Sequence, residues 1–364
     1  MKRILVVFGT RPEAVKLCPV VVELKRREGV ETAVCVTAQH REMLDGALGC
    51  FGVVPDFDLD LMKEGQSLSE LTARAVLGVS EVIVRWSPDA VLVHGDTTTA
   101  FAASLAAFYK GVPVGHVEAG LRTGDLLSPF PEEFNRMAVG LVAKWHFAPT
   151  DRARDNLLKE GKDEKSIFVT GNTVVDALKF TVRADFCHPV LDWAKGRRLI
   201  FLTVHRRESL GEPMREMLLA VRKAVSESED VALVCPAHKN PEVERNVREL
   251  LAPCKNILVC PPLGVADCHN ILARSFAALT DSGGIQEEAT ALGVPTLVLR
   301  DKTERQEGVE AGTLRLVGRD GERIYKEIRR LLEDGEAYNA MKNNLNPFGD
   351  GTAAQKVGEI VSEE

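Results

Sequence analysis

The sequence predicts an α/β protein of two doubly wound, Rossmann-like domains, and three observations carry that expectation. Short apolar runs rich in β-branched residues alternate with longer amphipathic segments, the pattern of βαβ units around a parallel sheet buried on both faces. The chain has 364 residues, and single hydrophobic cores stop growing near ~250–300 residues. The alternation lapses once, over residues 181–198, where Pro189 and the basic cluster Lys195-Gly196-Arg197-Arg198 stand, and then begins again.

In the first half strands are expected at Ile4–Phe8, Thr32–Thr37, Ala90–His94, Val114–Glu118, Trp145–Pro149 and Ile167–Thr170, with helical segments between most of them. The second series places strands at Leu199–Val204, Val231–Pro236, Ile257–Cys260, Ala277–Asp281, Thr296–Leu299 and Thr313–Val317. Helical patterns such as Glu212–Val225 and Pro241–Leu251 separate them. The expected domains are 1–180 and 181–350. Doubly wound sheets bind ligands at the carboxyl ends of their strands, so the ligand is expected in the interdomain cleft.

Composition removes several classes of function. Hydrophobic residues make up 45% and charged residues 27%, as in ordinary globular proteins. The net charge is -7 with the two signs interspersed, which offers no footprint for a nucleic-acid backbone or an anionic membrane. No apolar run approaches the ~18 residues of a membrane span, and Met1–Phe8 reads as a first strand rather than a secretory leader. The eight cysteines form no C-x-x-C pair and lie largely in apolar runs, as reduced core residues of a cytoplasmic protein do. Neither H-E-x-x-H nor paired cysteine spacing occurs, so no metal is expected.

Two segments suit phosphate. The first βα turn reads Phe8-Gly9-Thr10-Arg11-Pro12-Glu13-Ala14, with Lys16 one turn into the helix. A tight glycine turn at a helix N-terminus collects N–H groups, and Arg11 and Lys16 add charge suited to a diphosphate. The plainer alternative makes both cations a solvated helix edge. The turn lacks G-x-G-x-x-G, so no nicotinamide cofactor is expected. The second segment is Thr280-Asp281-Ser282-Gly283-Gly284-Ile285-Gln286-Glu287-Glu288, where a strand ends and a helix opens on two glycines that clear side chains from a pyrophosphate. Glu288 is placed there to accept from ribose hydroxyls, unless Ser282 is merely an N-cap followed by acidic first-turn residues.

Acid–base candidates sit at strand ends and helix starts. Asp96, in His94-Gly95-Asp96-Thr97-Thr98-Thr99, either serves chemistry or caps the helix over 97–109. Glu118 ends a strand in His116-Val117-Glu118-Ala119-Gly120-Leu121-Arg122, where a charge is harder to explain as structure. Glu132 and Glu133 open a helix in Ser128-Pro129-Phe130-Pro131-Glu132-Glu133-Phe134-Asn135-Arg136, with Pro near the first position and helix-dipole partnership as the alternative. In the second domain His205, in Thr203-Val204-His205-Arg206-Arg207-Glu208, closes a strand where an imidazole can meet a phosphate or move a proton. His238, in Pro236-Ala237-His238-Lys239-Asn240, occupies a similar strand end.

These strings, joined by Val-Thr-Ala-Gln-His-Arg at 36–41, Thr-Gly-Asn-Thr-Val at 170–174, Arg-Asp-Lys-Thr-Glu-Arg at 300–305 and Asn-Pro-Phe-Gly-Asp-Gly at 346–351, resemble the non-hydrolysing UDP-N-acetylglucosamine 2-epimerases over nearly the whole chain. The resemblance implies a glycosyltransferase-B-like fold, usually a homodimer, closing on UDP-sugar, and a last helix near 352–361 that returns to the first domain, which sets 351–364 apart. It implies interconversion of UDP-N-acetylglucosamine and UDP-N-acetylmannosamine without a cofactor. Asp96, Glu118, Glu132 and His205 match the family's catalytic positions. Arg11, Lys16, Ser282, Gly283, Gly284, Glu288 and Arg305 match nucleotide-binding positions, with Arg136 and Leu263 counted among the substrate contacts. Some bacterial relatives bind a second UDP-N-acetylglucosamine as activator through the Gln39-His40 region, Gln66 and His238. The chain departs from the family at Cys268, where an aromatic residue near the uracil is common, and at Gly65, where several activated members carry arginine.

Carbon 2 of the sugar adjoins no carbonyl, so its proton is too weakly acidic for direct removal. Either carbon 3 is oxidised first or UDP leaves; the first βα turn lacks a dinucleotide fingerprint, which favours elimination of UDP to 2-acetamidoglucal and re-addition, a route that needs two proton carriers on opposite faces. A retaining glycosyltransferase, a hydrolysing epimerase and a sugar-nucleotide sensor are the alternatives.

Overall fold

The computed structural model describes residues 1–38, 41–62, 65–206, 209–238 and 240–363. The chain divides into two compact units, one of residues 1–180 with 348–364 and the other of 181–347.

In the first unit the elements run β1 (Lys2–Phe8), α1 (Arg11–Lys25), β2 (Val30–Val36), α2 (Arg41–Phe51), β3 (Phe57–Asp58), α3 (Leu68–Trp86), β4 (Ala90–His94), α4 (Thr98–Tyr109), β5 (Val114–Val117), α5 (Glu132–Val142), β6 (Ala143–Ala148), α6 (Asp151–Lys159), β7 (Ile167–Val169) and α7 (Thr173–Thr181). The strands form one parallel sheet in the order β3-β2-β1-β4-β5-β6-β7. Ile4 to Phe8 are fully buried, as a central parallel strand covered on both faces requires. On one face Leu5, Val7, Val91 and Val93 pack against Val79 and Ile83 of α3 and the alanines of α4. Ala100, Ala103, Ala106 and Ala107 of α4 are fully buried in this cluster.

The second unit runs α8 (Pro189–Ala194), β8 (Arg198–Thr203), α9 (Glu212–Ser226), β9 (Val231–Pro236), α10 (Pro241–Leu251), β10 (Ile257–Cys260), α11 (Val265–Ala273), β11 (Ala277–Thr280), α12 (Gly283–Ala291), β12 (Thr296–Val298), α13 (Gln306–Glu310), β13 (Leu314–Leu316), α14 (Gly321–Glu333) and α15 (Gly335–Lys342). Its parallel sheet has the order β10-β9-β8-β11-β12-β13. The last helix, α16 (Ala353–Glu363), belongs to the first unit and packs on α1.

The expected fold class is the observed one, with local differences that have physical causes. The two-residue β3 is too short to show an apolar run, and α8 forms inside the stretch read as irregular. β5 stops at Val117, because Glu118 turns to φ +63° and leaves the strand. The helix after Ser128 begins at Glu132 with Pro131 at its N-cap rather than inside its first turn.

In each sheet the strand order reverses at one place, between β1 and β4 in the first and between β8 and β11 in the second. The crevice beyond the strand ends at such a point is where open α/β sheets bind ligands.

Candidate active site

The first unit's reversal point brings together the turns after β1, β4 and β5. Gly9 follows β1, and a Cβ there would collide with the hydroxyls of Thr37 and Thr99, which hydrogen-bond each other at 2.7 Å. Only glycine lets this turn pass. Thr10 caps α1 in a capping box with Glu13, which also accepts from Gly9 N–H at 3.1 Å and from the Thr97 hydroxyl at 2.7 Å. Burial pushes the Glu13 carboxyl above its ordinary range, against the downward pull of those hydrogen bonds. Glu13 thereby ties the β1 turn to the β4 turn.

Lys16 is 6% exposed and its Nζ pairs with Glu118 Oε2, which also accepts from Asn172 Nδ2 at 3.1 Å. The solvated-edge alternative therefore fails for Lys16. Arg11, half-buried, is the first residue of α1. Asp96 does not cap α4; Thr97 does, its hydroxyl accepting from Ala100 N–H at 3.0 Å. That leaves the Asp96 carboxylate to pair with Arg136, whose other arm meets Glu133 at 2.8 Å. Asn135 Nδ2 donates to Asp96 O at 2.9 Å, so α5 grips the Asp96 turn twice. Glu133 also accepts from the Thr123 and Gly124 N–H groups at 3.0 and 3.1 Å. Glu132 opens α5 half-buried, and its buried Oε2 has no hydrogen-bond partner among the described residues.

In the second unit His205 follows β8 and Asp281 follows β11, strands that pair directly. Asp281 is fully buried; its Oδ2 accepts from the His205 and Arg206 N–H groups at 2.8 and 2.9 Å, and His205 Nδ1 stands 3.0 Å from Oδ1. Burial alone would raise this carboxyl, but the imidazole and the two N–H groups outweigh it and hold it below its ordinary value. Ser282 stands at the N-cap of α12, yet its side chain makes no cap hydrogen bond. Arg305 lies over Gly283, where a Cβ would fall 2.8 Å from Nη1. Its guanidinium reaches Glu287 at 2.8 Å and pairs with Glu304, which also faces Arg300 at 3.0 Å and Arg206 at 3.7 Å. Burial would raise Glu304, but the Arg305, Arg300 and Arg206 charges bring it down to about 2.

Glu288 on α12 lies 3.5 Å from Nε2 of the buried His269, whose Nδ1 meets the Thr181 hydroxyl at 2.7 Å. Leu263 and Cys268 pack at the edge of one apolar cluster of this unit. The His238 ring stacks on His205 with centroids 5.3 Å apart. Gln66 accepts from Arg74 in the first unit. Gln39 and His40, with Arg207 and Glu208, lie outside the described residues. Glu13, Asn172, Asp281, His269 and Glu304 carry no local signal of a role; Asp281 belongs to the strand-end motif at 280–288, and only its position beside the end of β8 reveals its partner. Among the described residues no group of three or more His, Cys, Asp or Glu is placed to hold a metal ion, and no helix is long and apolar enough to cross a membrane.

Two doubly wound parallel sheets, each with polar and charged side chains gathered at its reversal point, define an enzyme of the α/β class. A family model described as UDP-N-acetylglucosamine 2-epimerase matches residues 22–362, and the chain belongs to that family. The UDP-N-acetylglucosamine 2-epimerase of Bacillus subtilis is 54% identical over 357 residues, covering 98% of this chain and 94% of the relative. Among solved structures, the S. aureus MnaA–UDP co-structure superposes with a TM-score of 0.94 at 48% identity, covering 100% of this chain and 96% of that one. The Neisseria meningitidis UDP-GlcNAc 2-epimerase bound to UDP-GlcNAc gives a TM-score of 0.93 at 42% identity, covering 100% of both. The fold is glycosyltransferase-B-like.

Proposed function

We propose that the protein interconverts UDP-N-acetylglucosamine and UDP-N-acetylmannosamine by eliminating and re-adding UDP. The observation that carries the reading is the pair Asp96 and Glu118, carboxylates on the turns after the adjacent strands β4 and β5, each held against a cation. The likeness to enzymes of this name and to a structure holding UDP-GlcNAc supports it.

In the forward direction the bond from carbon 1 to the diphosphate oxygen breaks and its electron pair leaves with UDP. The positive charge at carbon 1 acidifies the carbon 2 hydrogen, which one carboxylate removes as a proton, giving 2-acetamidoglucal. A second carrier then protonates carbon 2 from the opposite face, and the diphosphate oxygen re-forms its bond to carbon 1. Asp96, Glu118 and Glu132 are the proton carriers in this reading. His205, the start of α12 and Arg305 stabilise the departing diphosphate, with Arg11, Lys16, Arg136, Leu263 and Glu288 as further substrate contacts. His238, Gln66 and the Gln39-His40 segment are the candidates for a second, activating UDP-N-acetylglucosamine.

Incubation with UDP-N-acetylglucosamine in deuterated water tests the reaction by NMR at carbon 2. Deuterium at carbon 2 and a second intact sugar nucleotide are expected. Free UDP and sugar would indicate hydrolysis instead, and an unchanged substrate would indicate a transferase or a sensor. Asp96→Asn and Glu118→Gln should each lower kcat about 10²-fold or more, the usual contribution of a positioned acid or base; normal turnover in both would refute the assignment.

We further propose a cytoplasmic homodimer. Leu77 and Val84, seven residues apart on α3, are exposed, as are Phe108 and Tyr109 at the end of α4 and Leu141 on α5. α3 packs on α4 and α4 on α5, so these side chains stand on neighbouring helices, where an association face is the reading we favour. No disulfide joins the described cysteines, as in a reducing compartment. Light scattering gives the oligomeric state directly; a monomer at micromolar concentration would refute the dimer.

A further inference from the structure

Two of the quoted motifs, 170–174 and 346–351, have no part in the reaction as described, yet they meet beside one of its carboxylates. Asn172 precedes α7 and is 3% exposed. Its backbone N–H donates to Phe348 O at 2.8 Å, its Oδ1 accepts from Val174 N–H at 3.0 Å as the cap of α7, and its Nδ2 donates to Glu118 Oε2 at 3.1 Å. Because capping occupies the amide oxygen, the NH₂ group is the end turned to the carboxylate. The returning segment fixes this loop from behind. Gly171 and Gly349, at φ +90° and +112°, lie back to back, and a Cβ on Gly349 would fall 3.0 Å from Gly171 Cα. Lys179 Nζ donates to Gly351 O, and Ala354 N–H donates to Asp176 Oδ1 at 3.0 Å.

Glu118 is a residue whose direction needs such help. At φ +63° it occupies the left-handed region, sparsely used by side chains other than glycine and enriched at functional sites. Two residues on, Gly120 at φ +88° lies so close to Ala153 O that no Cβ fits. The fold therefore sets the Glu118 backbone, and the donors set its carboxylate. Both donors take Oε2, while Oε1 faces the Gly95 turn, where an added Cβ would lie 3.6 Å away. Lys16 of α1 contributes charge; Asn172 contributes direction without charge. His94 at the end of β4 also faces the group, its Nε2 3.6 Å from Oε2.

We propose that Asn172 is a positioning residue for the epimerisation, its amide locked by the α7 cap and by the returning Phe348 segment so that it aims the Glu118 carboxylate at the reacting carbon. The inference rests on Glu118 carrying a proton.

Asn172→Ser and Asn172→Asp keep an acceptor for Val174 N–H but lose the amide donor, so α7 stays capped while Glu118 loses its neutral partner. The measurements are kcat, KM, the pH dependence of kcat and the urea midpoint. For Asn172→Ser kcat should fall about 10-fold at nearly unchanged KM and urea midpoint. The acidic limb should move up by about one pH unit, since a carboxylate deprived of a donor binds its proton more tightly. Asn172→Asp should move it further by adding a like charge. Lys16 and His94 are unchanged in every variant, so the difference isolates the amide. Gly349→Ala, which presses the returning segment against Gly171, should move the same limb in the same direction by less. A wild-type acidic limb in Asn172→Ser and Asn172→Asp overturns the proposal, whether or not activity falls. Glu118→Gln separates the two readings: if it turns over normally, the role of Glu118 is wrong. If it is inactive while the Asn172 variants keep the wild-type limb, only the positioning role is wrong.

Discussion

His116 and His146 face each other in register on β5 and β6, and they should make the first unit sensitive to mild acid. Burial pushes His116 down to about 3, only partly opposed by the bond its Nε2 donates to Gly95 O at 2.8 Å. Burial, assisted by the Lys162 and Arg122 charges, pushes His146 down to about 4. Unfolded imidazoles take up protons near pH ~6.5, whereas these two, while folded, stay neutral until well below it. Lowering the pH therefore favours the unfolded chain, and the loss begins below the unfolded value and levels off past the folded ones. Each imidazole contributes about 1.4 kcal/mol per pH unit in that window, so the pair costs about 4 kcal/mol between pH 6 and 4.5. A domain holds only about 5–15 kcal/mol in all. Urea unfolding followed by circular dichroism from pH 7 to 4.5, on the wild type and on the double variant His116→Gln/His146→Gln, measures the effect. Glutamine keeps a donor for Gly95 O. Glu13 and Asp176, raised by burial, work in the opposite sense but are common to both proteins and cancel in the difference. The gap between the two stability curves should change by about 2.7 kcal/mol per pH unit in favour of the variant as the pH falls. Parallel curves, or an imidazole proton titrating near pH ~6.5 in the folded protein, would refute the reasoning.

Asp281→Ala strands two part-buried N–H donors and the facing imidazole, and should cost about 2–3 kcal/mol in urea unfolding at pH 7. Asp281→Asn keeps an acceptor and should cost less; because the folded carboxyl is held low, its deficit should shrink as the pH falls through the folded value. Glu304→Gln should lose about 2–3 kcal/mol at pH 7, a stabilisation present above the unfolded pKa and lost as the pH falls through the folded one, so wild type and variant should converge only near pH ~2 in the same assay. Gly9→Ala forces a methyl onto the Thr37 and Thr99 hydroxyls and should cost about 1–3 kcal/mol, read as a lowered thermal midpoint; an unchanged midpoint would show that the turn yields freely.

The sheets were legible because parallel strands buried on both faces must be continuous apolar runs, and runs such as Ile4–Phe8 and Val231–Pro236 announce themselves. β3 could not, having two residues, and Glu118 could be seen to end its run but not to turn left-handed. At the site, composition of a turn reveals that charge is present, not whom it meets. Lys16 could be read as a helix-edge cation because its partner lies 102 residues along the chain. Asp281 stood in a motif quoted for its glycines, and its contact with His205 follows from β8 lying beside β11, which no local pattern states. Asn172 could be quoted only as part of a shared string, since its place depends on a segment 176 residues further on that returns to meet it.

In the proposed function, the second unit's arginines bear on how a diphosphate would be held and still leave. Among the described residues, Arg206 and Arg300 face Glu304, and Arg305 faces both Glu287 and Glu304, so each guanidinium already has a carboxylate neighbour. A diphosphate arriving there exchanges partners with carboxylates already in place rather than meeting bare cations. Such exchange moderates affinity while keeping the guanidinium planes oriented, because Glu287 and Glu304 hold Arg305 over Gly283. A reaction that releases UDP from carbon 1 and takes it back requires both properties: a leaving group gripped too loosely escapes as product, and one neutralised too strongly does not return as nucleophile. The arrangement therefore favours orientation over charge, and the affinity for UDP should fall only weakly with added salt, by far less than three unpaired arginines would give.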